Sequence, residues 1–405
     1  MPRNPHPTRE PGDGPARPRV GIVGGGQLAR MTADAAEALG VDVAVLALPD
    51  DDATAGHVAD RTVVDALDRP ALERFALGCD VVTFDHEKVP DDVVRALEAR
   101  GVVVRPGARA LRLGADKAFQ RTTLAEHGIP VPAFVVAHDA AGVQAAAAQL
   151  GGPVVAKRAT GGYDGRGVRR VDGPEGLDGL AGWFDGPDPR AVVEPALALD
   201  RELAVVVARR PGGEAVAYPV VETVQDDEAR CAEVLAPAPV SPRLAAEARD
   251  LALRAAEVAD AVGILAVELF VVDGALLVNE LAARPHNTGH LTIDACATSQ
   301  FTNHLLAVLD RPLGPTDLRV PVAVMANVVG AGGHDLGGSD RALATGAADG
   351  RVHVHLYGKQ ARVGRKLGHV TAVGRELGTT RRRAGAVADH LRRCTAPVPT
   401  QGAAS

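Results

Sequence analysis

Short apolar runs, each cut off by glycine, proline or acidic residues, organise the opening quarter of the chain. Arg19 to Val23 is a β-branched run that stops at three glycines, and Gln27 to Leu39 then has helical character until Gly40 halts it. Val41 to Leu48, Asp80 to Phe84 and Val102 to Val104 read as further strands, the last ended by Pro106, with a helix over Pro90 to Arg100. Strands that alternate with helices predict a parallel α/β sheet.

Beyond it the pattern changes. A linker-like helix is expected over Ala115 to His127, closed by Gly128 and Pro130. Pro153 to Lys157 reads as a strand, Ala159 to Gly167 as a glycine-rich loop, and Val192-Val193 and Leu203 to Val207 as strands. Leu244 to Val262 has the spacing of a long amphipathic helix. Ile264 to Leu281 reads as two apolar strands around Asp273-Gly274, a hairpin signal. From Val320 onward, short strands and a Gly-rich loop suggest a small third unit.

Composition narrows the class. At roughly 100–200 residues per domain, 405 residues suggest two to four domains. Hydrophobic residues make up 46% and aromatics 3%, so Val, Leu and Ala must fill real cores. A net charge of −7 argues against a nucleic-acid groove or an anionic membrane surface as partner, while leaving room for a local basic pocket. Cys79, Cys231, Cys296 and Cys394 are far apart and form no CxxC pair, so a reducing cytoplasm is expected. No apolar run approaches the roughly 20 residues that span a bilayer.

Two glycine motifs invite phosphate. Gly24-Gly25-Gly26-Gln27-Leu28-Ala29 follows a strand, opens a helix and fits G-x-G-x-x-A, with Asp50 about where a ribose-binding acid stands in a dinucleotide fold. NAD binding, another phosphate ligand and a purely structural turn all remain open for it. The second motif follows Lys157, which ends its strand and could reach nucleotide phosphates as a point charge. Gly161, Gly162, Gly165 and Gly167, with Tyr163, Asp164 and Arg166 between them, suit a loop that closes over phosphates.

Glu268 and Glu280 each interrupt or end an apolar strand, where a carboxylate is costly to bury alone. Facing each other they would repel, and Mg²⁺ with phosphate oxygens would relieve both costs. A two-residue Asp273-Gly274 turn would set Glu268 opposite Asn279. A three-residue turn ending at Ala275 sets Glu268 opposite Glu280, and that turn is expected here. Arg284-Pro285-His286-Asn287-Thr288-Gly289-His290 then supplies groups that suit an anionic reactant beside the γ-phosphate. Tyr357 to His369 is a basic, Gly-punctuated run, either a solvated turn or a clamp for a phosphate monoester.

Together GIVGGGQLARM, LGADKAFQR, VVAKRATGGYDGRG, AVELFVVDGALLVNELAARPHNTGHLT and YGKQARVGRKLGHV resemble the ATP-grasp superfamily, and within it the 5-(carboxyamino)imidazole ribonucleotide synthases. The resemblance spans about Arg19 to His390. It implies an α/β and α+β chain: a Rossmann-like N-terminal sheet (19–113), a two-lobed ATP-grasp domain (114–312, its lid about 133–205) and a small β-rich C-terminal domain (313–394), between tails at 1–18 and 395–405. It further implies a cytoplasmic homodimer. That enzyme would use ATP and Mg²⁺ to carboxylate aminoimidazole ribonucleotide with bicarbonate, through carboxyphosphate. An ATP-grasp ligase that activates formate instead, an NAD oxidoreductase and a non-catalytic nucleotide-binding regulator are the competing readings.

Residue by residue, the resemblance makes Lys117 and Lys157 phosphate contacts, with Arg105 at the site's edge. Gly162 to Gly167 is the lid loop, including Tyr163, Asp164, Gly165 and Arg166. Glu194, Pro195, Ala196 and Leu197 read adenine through their backbone. Glu202 holds the ribose, with Gln225 and Asn279 near the nucleotide. Glu268 and Glu280 bind Mg²⁺; Arg284, His286 and Asn287, with Tyr163, serve the reacting groups. Gly26, Gln27, Leu28, Glu87, Lys359, Arg365 and Lys366 take the ribonucleotide. Three positions depart from the family: Asp85-His86-Glu87-Lys88 replaces an acidic-aromatic sequence, Gln225 stands where histidine is frequent, and Thr288 replaces a serine.

Overall fold

The computed structural model describes residues 17–162, 167–333, 336 and 350–396. The first apolar runs become β1 (Arg19–Val23), β2 (Asp42–Ala47) and β4 (Val81–Phe84), and β3 (Arg61–Val63), not foreseen from the pattern, adds an edge. All pair in parallel, in the order β3-β2-β1-β4. Their apolar runs do not alternate because both faces are covered. On one face Val23, Leu46 and Phe84 meet Leu72 of α2 (Arg69–Ala76) and Val94 and Leu97 of α3 (Asp91–Ala99). On the other, Val20, Ile22 and Val45 meet Ala29 and Ala36 of α1 (Gln27–Glu37) and Leu305 and Val308 of α9 (Gln300–Val308).

One expectation needs correction here. Val102 to Val104 is no strand but a single parallel bridge from Val104 to Val82. Pro106, two residues on, has no N–H to extend the ladder. The helix expected over Ala115 to His127 is present as α5 (Lys117–Glu126), and α4 (Ala108–Ala115), not foreseen, precedes it. Asp116 is extended between them, and its carboxylate accepts from the Phe119 N–H at 3.0 Å. An N-cap of this kind starts a new helix and sets Lys117 in its first turn.

A small antiparallel sheet follows, in the order β5 (Val135–Ala137), β8 (Ala191–Pro195), β6 (Val154–Arg158), β7 (Val168–Val171), backed by α6 (Ala140–Leu150). The glycine loop joins β6 to β7. The largest sheet runs β14 (Ala275–Ala282), β13 (Gly263–Val272), β9 (Arg201–Arg209), β11 (Val221–Gln225), β12 (Cys231–Ala236), β15 (Val322–Val329), β17 (Lys366–Gly374), β16 (Val352–Leu356). β10 (Ala215–Ala217) pairs with β9 outside this path. The β-rich C-terminal unit thus shares its sheet with the central domain, through the β12–β15 ladder.

α7 (Pro242–Ala259) lays Ala248, Leu251, Ala252, Ala255, Ala256 and Ala259 on that sheet, a small-residue stripe that suits a chain poor in aromatics. α8 (Thr292–Ala295) is a single turn before α9, and α10 (Leu377–Cys394) closes the C-terminal unit. Thr395, assigned to the terminal tail, is buried after α10, and its hydroxyl accepts from Ala331 N–H at 3.0 Å. Among the described residues no helix is long and apolar enough to cross a membrane, and all four cysteines are unpaired.

Candidate functional site

The β13–β14 hairpin presents its acids by an unexpected route. The turn is the two-residue one: Val272 pairs with Ala275, and Asp273 and Gly274 sit at φ 50° and 75°. Such a turn alone would set Glu268 opposite Asn279. The register instead slips between Glu268 and Leu269, Asn279 is bulged out, and Glu268 faces Glu280. The expected three-residue turn is therefore wrong, while the facing pair it was meant to explain is present. A Cβ at Gly274 would touch nothing within 4 Å, so Gly274→Ala should cost only its left-handed backbone, about 1 kcal/mol, readable in urea unfolding.

The carboxylates lie at the floor of a cleft, each with about a third of its side chain open (32% and 39%). Burial, then the charges of Glu280 and Glu202, push the Glu268 carboxyl up to about 7. Burial also acts on Glu280, but Lys117, Lys157 and His286 outweigh it and hold Glu280 below the ordinary range. Among the described residues no three His, Cys, Asp or Glu groups converge to cage a metal. Two carboxylates beside phosphate oxygens are still what Mg²⁺ accepts, and two acids that face each other across a hairpin are the donor set such a cation would draw together.

Lysines flank the pair. Lys117 Nζ lies 2.9 Å from Glu280 Oε2. Lys157 Nζ lies 2.7 Å from Glu194 Oε2 and donates to the bulged Asn279 Oδ1 at 3.0 Å, joining the small sheet to the hairpin. Arg121 Nε meets the other oxygen of Glu194 at 2.5 Å. Glu194 thus spends its side chain on a buried ion network and offers a nucleotide only backbone. Pro195 has no N–H, and Ala196 N–H donates to Pro153 O at 2.9 Å, so an adenine-reading donor in this segment would be Leu197. Glu202 accepts from Gln225 Nε2 at 3.0 Å, so the residue that replaces histidine orients the ribose candidate. Arg105 donates to Val308 O at 2.7 Å, at the end of α9. Gly162 and Gly167 approach each other beside Arg158, whereas Tyr163, Asp164, Gly165 and Arg166 lie outside the described residues.

The Arg284 to His290 segment runs past the same cleft. Arg284 Nε pairs with Glu87 Oε2 at 2.7 Å, and His286 Nε2 stands 3.6 Å from Glu268 Oε1. Thr288 keeps the hydroxyl a serine would bring, 3.0 Å from His286 Nδ1. The Asn287 amide is buried with neither polar atom hydrogen-bonded, apart from the nearby Cys231 thiol. A buried amide left open in this way suits a small polar ligand.

A second cluster forms where residues 357–366 dock on the first glycine turn. Lys359 Nζ donates to Gln27 Oε1, and Arg365 forks onto Asp52 at 2.6 and 2.7 Å. Gly25 N–H donates to Asp51 at 3.1 Å and Gly26 N–H to Asp85 at 2.6 Å. Carboxylates already fill the N–H groups a pyrophosphate would need, which removes the dinucleotide reading. Leu28 is buried against Met31, Phe301 and Tyr357, so its side chain cannot meet a ribonucleotide. Lys366 opens β17 and acts on both Glu268 and Cys231, which joins the two clusters.

Comparison with known proteins agrees along the chain. Residues 18–114 match the ribonucleotide synthetase preATP-grasp domain, 122–301 the ATP-grasp domain, and 323–383 the phosphoribosylaminoimidazole carboxylase C-terminal domain. The N5-carboxyaminoimidazole ribonucleotide synthase of Mycobacterium tuberculosis H37Rv is 47% identical over 365 residues, 89% of this chain and 84% of its own. That of Corynebacterium ammoniagenes is 40% identical over 383 residues, 93% and 92% of the two chains. The chain belongs to the N5-carboxyaminoimidazole ribonucleotide synthase family. Solved structures agree: the Thermus thermophilus synthetase superposes with a TM-score of 0.80 at 35% identity, covering 94% of this chain and 99% of its own. The Aspergillus clavatus synthase, in complex with ADP and 5-aminoimidazole ribonucleotide, gives 0.81 at 32%, covering 92% and 99%.

As a member of that synthase family the chain is an ATP-dependent ligase. Several of its site-shaping residues escape sequence reasoning. Asp50 is the acid that spacing singles out, yet Asp51 and Asp52 do the holding. Asp85 and Arg121 are equally silent, because each finds its partner 59 or 73 positions away.

Proposed function

We propose that this synthase carboxylates the exocyclic amine of 5-aminoimidazole ribonucleotide with bicarbonate at the expense of ATP. The observation that carries the proposal is the facing pair Glu268 and Glu280 between Lys117 and Lys157, with the open Asn287 amide and Arg284 alongside. Bicarbonate oxygen attacks the γ-phosphorus and ADP leaves, giving carboxyphosphate. The amine nitrogen then attacks the carboxyl carbon, phosphate departs with its bonding pair, and the amine loses a proton. This sequence belongs to de novo purine synthesis.

Each residue has work that its place suits. Lys157 and Lys117 meet triphosphate oxygens, exchanging a carboxylate partner for a phosphate one. Arg284, held by Glu87, grips the bicarbonate-derived group, and Asn287 bonds it through an amide otherwise unspent. His286 stands at the boundary between this group and Glu268, suited to hold or pass a proton. Glu202 takes the ribose of ATP, oriented by Gln225. Glu268 and Glu280 would hold Mg²⁺, which would neutralise charge on the transferring phosphoryl group. Gln27, Lys359, Arg365 and Lys366 gather the ribonucleotide, with Gly26, held by Asp85, placing Gln27, Leu28 contributing backbone and Glu87 its edge. The enzyme works as a cytoplasmic homodimer.

The test is phosphate release by the purified protein, omitting one component at a time. Release should require ATP, Mg²⁺, bicarbonate and aminoimidazole ribonucleotide together; turnover with formate in place of bicarbonate would overturn the proposal. Mg²⁺-dependent ATP binding, followed by calorimetry, reads the metal role independently of turnover.

A pH effect follows from the ribonucleotide cluster. Burial, then the neighbouring Arg365, lowers the Lys359 ammonium to about 8. Its charge is present below that value and lost above it, while the substrate phosphate stays charged. The KM for the ribonucleotide should therefore climb above pH 8, by up to roughly tenfold per pH unit, with the KM for ATP flat. In Lys359→Met this climb should vanish; its persistence would move the phosphate contact elsewhere.

A further inference from the structure

Gln300 is fully buried at the start of α9, and every polar atom of its side chain is spent on one segment. Its Oε1 accepts from His286 N–H at 2.9 Å. Its Nε2 donates to His286 O at 2.7 Å and stands 3.1 Å from His290 Nδ1. The two main-chain partners fix the amide's orientation. A peptide N–H can only donate and a peptide oxygen can only accept, so Oε1 and Nε2 cannot exchange places. The second Nε2 hydrogen then faces His290 Nδ1, which must accept. The proton of His290 therefore sits on Nε2, and an imidazolium would set one donor against another.

Three further contacts make the clamp rigid. Gln300 N–H donates to Thr292 Oγ1 at 2.9 Å, and that hydroxyl donates to Gly289 O at 2.6 Å. A Cβ at Gly289 would lie 2.4 Å from Gln300 Oε1, so glycine lets the two chains approach. His290 is packed against Phe301, Tyr357 and His369, with ring centroids 5.7, 6.3 and 5.0 Å away. Burial lowers the His290 imidazole, and the charged groups that act on it, His286, Lys366, His355 and Arg284, lower it further.

We propose that Gln300 is a positioning residue of this active site: its amide fixes the main chain on both sides of His286 and locks His290 as the neutral, Nε2-protonated tautomer. It touches no reactant. It acts through His286 and Asn287, so it should govern the step that uses bicarbonate while leaving nucleotide binding alone. The catalytic part rests on the function proposed above; the tautomer part does not.

The experiment has two arms. In the wild-type protein, histidine side-chain nitrogen NMR, with His290 assigned by its loss in His290→Gln, should show Nδ1 as acceptor and Nε2 protonated throughout pH 6 to 8. A protonated Nδ1 or an imidazolium would overturn the lock, and the tautomer is read on the wild-type protein. In the second arm Gln300→Glu keeps shape and the oxygen acceptor but turns the donor into an acceptor. Bicarbonate- and ribonucleotide-dependent kcat should fall about 100-fold, as a misplaced reactive group does. The KM for ATP and the affinity for ADP should hold within about twofold, and His290 should begin to titrate. Unchanged kcat, or equal loss of ADP affinity and turnover, would overturn the positioning role. A wild-type protein with no bicarbonate-dependent turnover would sink the proposed function instead, with the tautomer still readable.

Discussion

Glu280→Gln should reduce bicarbonate-dependent phosphate release by about a thousandfold, equivalent to roughly 4 kcal/mol of lost transition-state stabilisation. The substitution is nearly isosteric, so the bulged strand keeps its shape. What disappears is one of two negative charges that face each other across the hairpin. In the resting protein Lys117 balances that charge at 2.9 Å, and Glu268 sits beside it, pushed up to about 7 by burial, Glu280 and Glu202. Removing the charge relieves Glu268 but takes the partner from Lys117, so the two effects offset and thermal stability should change little while Mg²⁺-dependent ATP binding weakens. A large loss of activity without a matching loss of stability marks a residue kept for its ligand and not for the fold. Wild-type turnover in this variant, or a collapse in stability equal to the loss of turnover, would refute the role given to the pair.

The route to that pair measures what the sequence makes legible. Two acids in apolar strands announce a cost, and the cost demands that they meet a common partner. That inference needs only residue type and the period of a strand. The means is hidden: a tight turn together with a one-residue bulge at Asn279 reaches the same facing as the longer turn inferred from spacing. A bulge is an accommodation to neighbours, and here the neighbour is Lys157 from another sheet. The same division runs through the rest of the molecule. The parallel sheet and the glycine loop were visible because local pattern sets them. The continuity of the C-terminal strands with the central sheet was not, since β12 and β15 are almost ninety residues apart. Nor was the closure of the first glycine turn by Asp51 and Asp85, which turns an inviting phosphate motif into a support for Gln27. The helix after Asp116 was legible, but α4 before it was not, nor was the N-cap at Asp116 that separates the two and aims Lys117 at Glu280.

The largest loss of stability should come from Glu194→Ala. Glu194 is 2% exposed and lies between Arg121, 1% exposed, and Lys157, 9% exposed. Burial alone would push its carboxyl up, yet Arg121 and Lys157 outweigh that and hold it below the ordinary range. A depressed acid contributes stability above its unfolded value of 4.5 and loses it only as pH falls further. At neutral pH the full contribution is present, and the alanine variant leaves two buried cations without a counter-charge. Breaking a buried pair in this manner costs about 3–5 kcal/mol, and in a chain of this size the unfolding midpoint should drop by roughly 5 °C. An exposed pair gives the contrast: Arg243, 88% exposed beside Glu247, should change stability by less than about 1 kcal/mol on conversion to alanine. Because Lys157 also reaches Asn279, the loss should not stop at stability. Freed from Glu194, its ammonium is free to turn onto Glu280, and the KM for ATP should rise in whatever fraction stays folded. Glu194→Gln tests the same point with the shape kept: its one amide oxygen still accepts from Arg121 or Lys157, while its NH2 faces the other cation as a second donor. If both variants melt with the wild type, the network is no more than surface decoration, and the aim of the phosphate lysine must come from elsewhere.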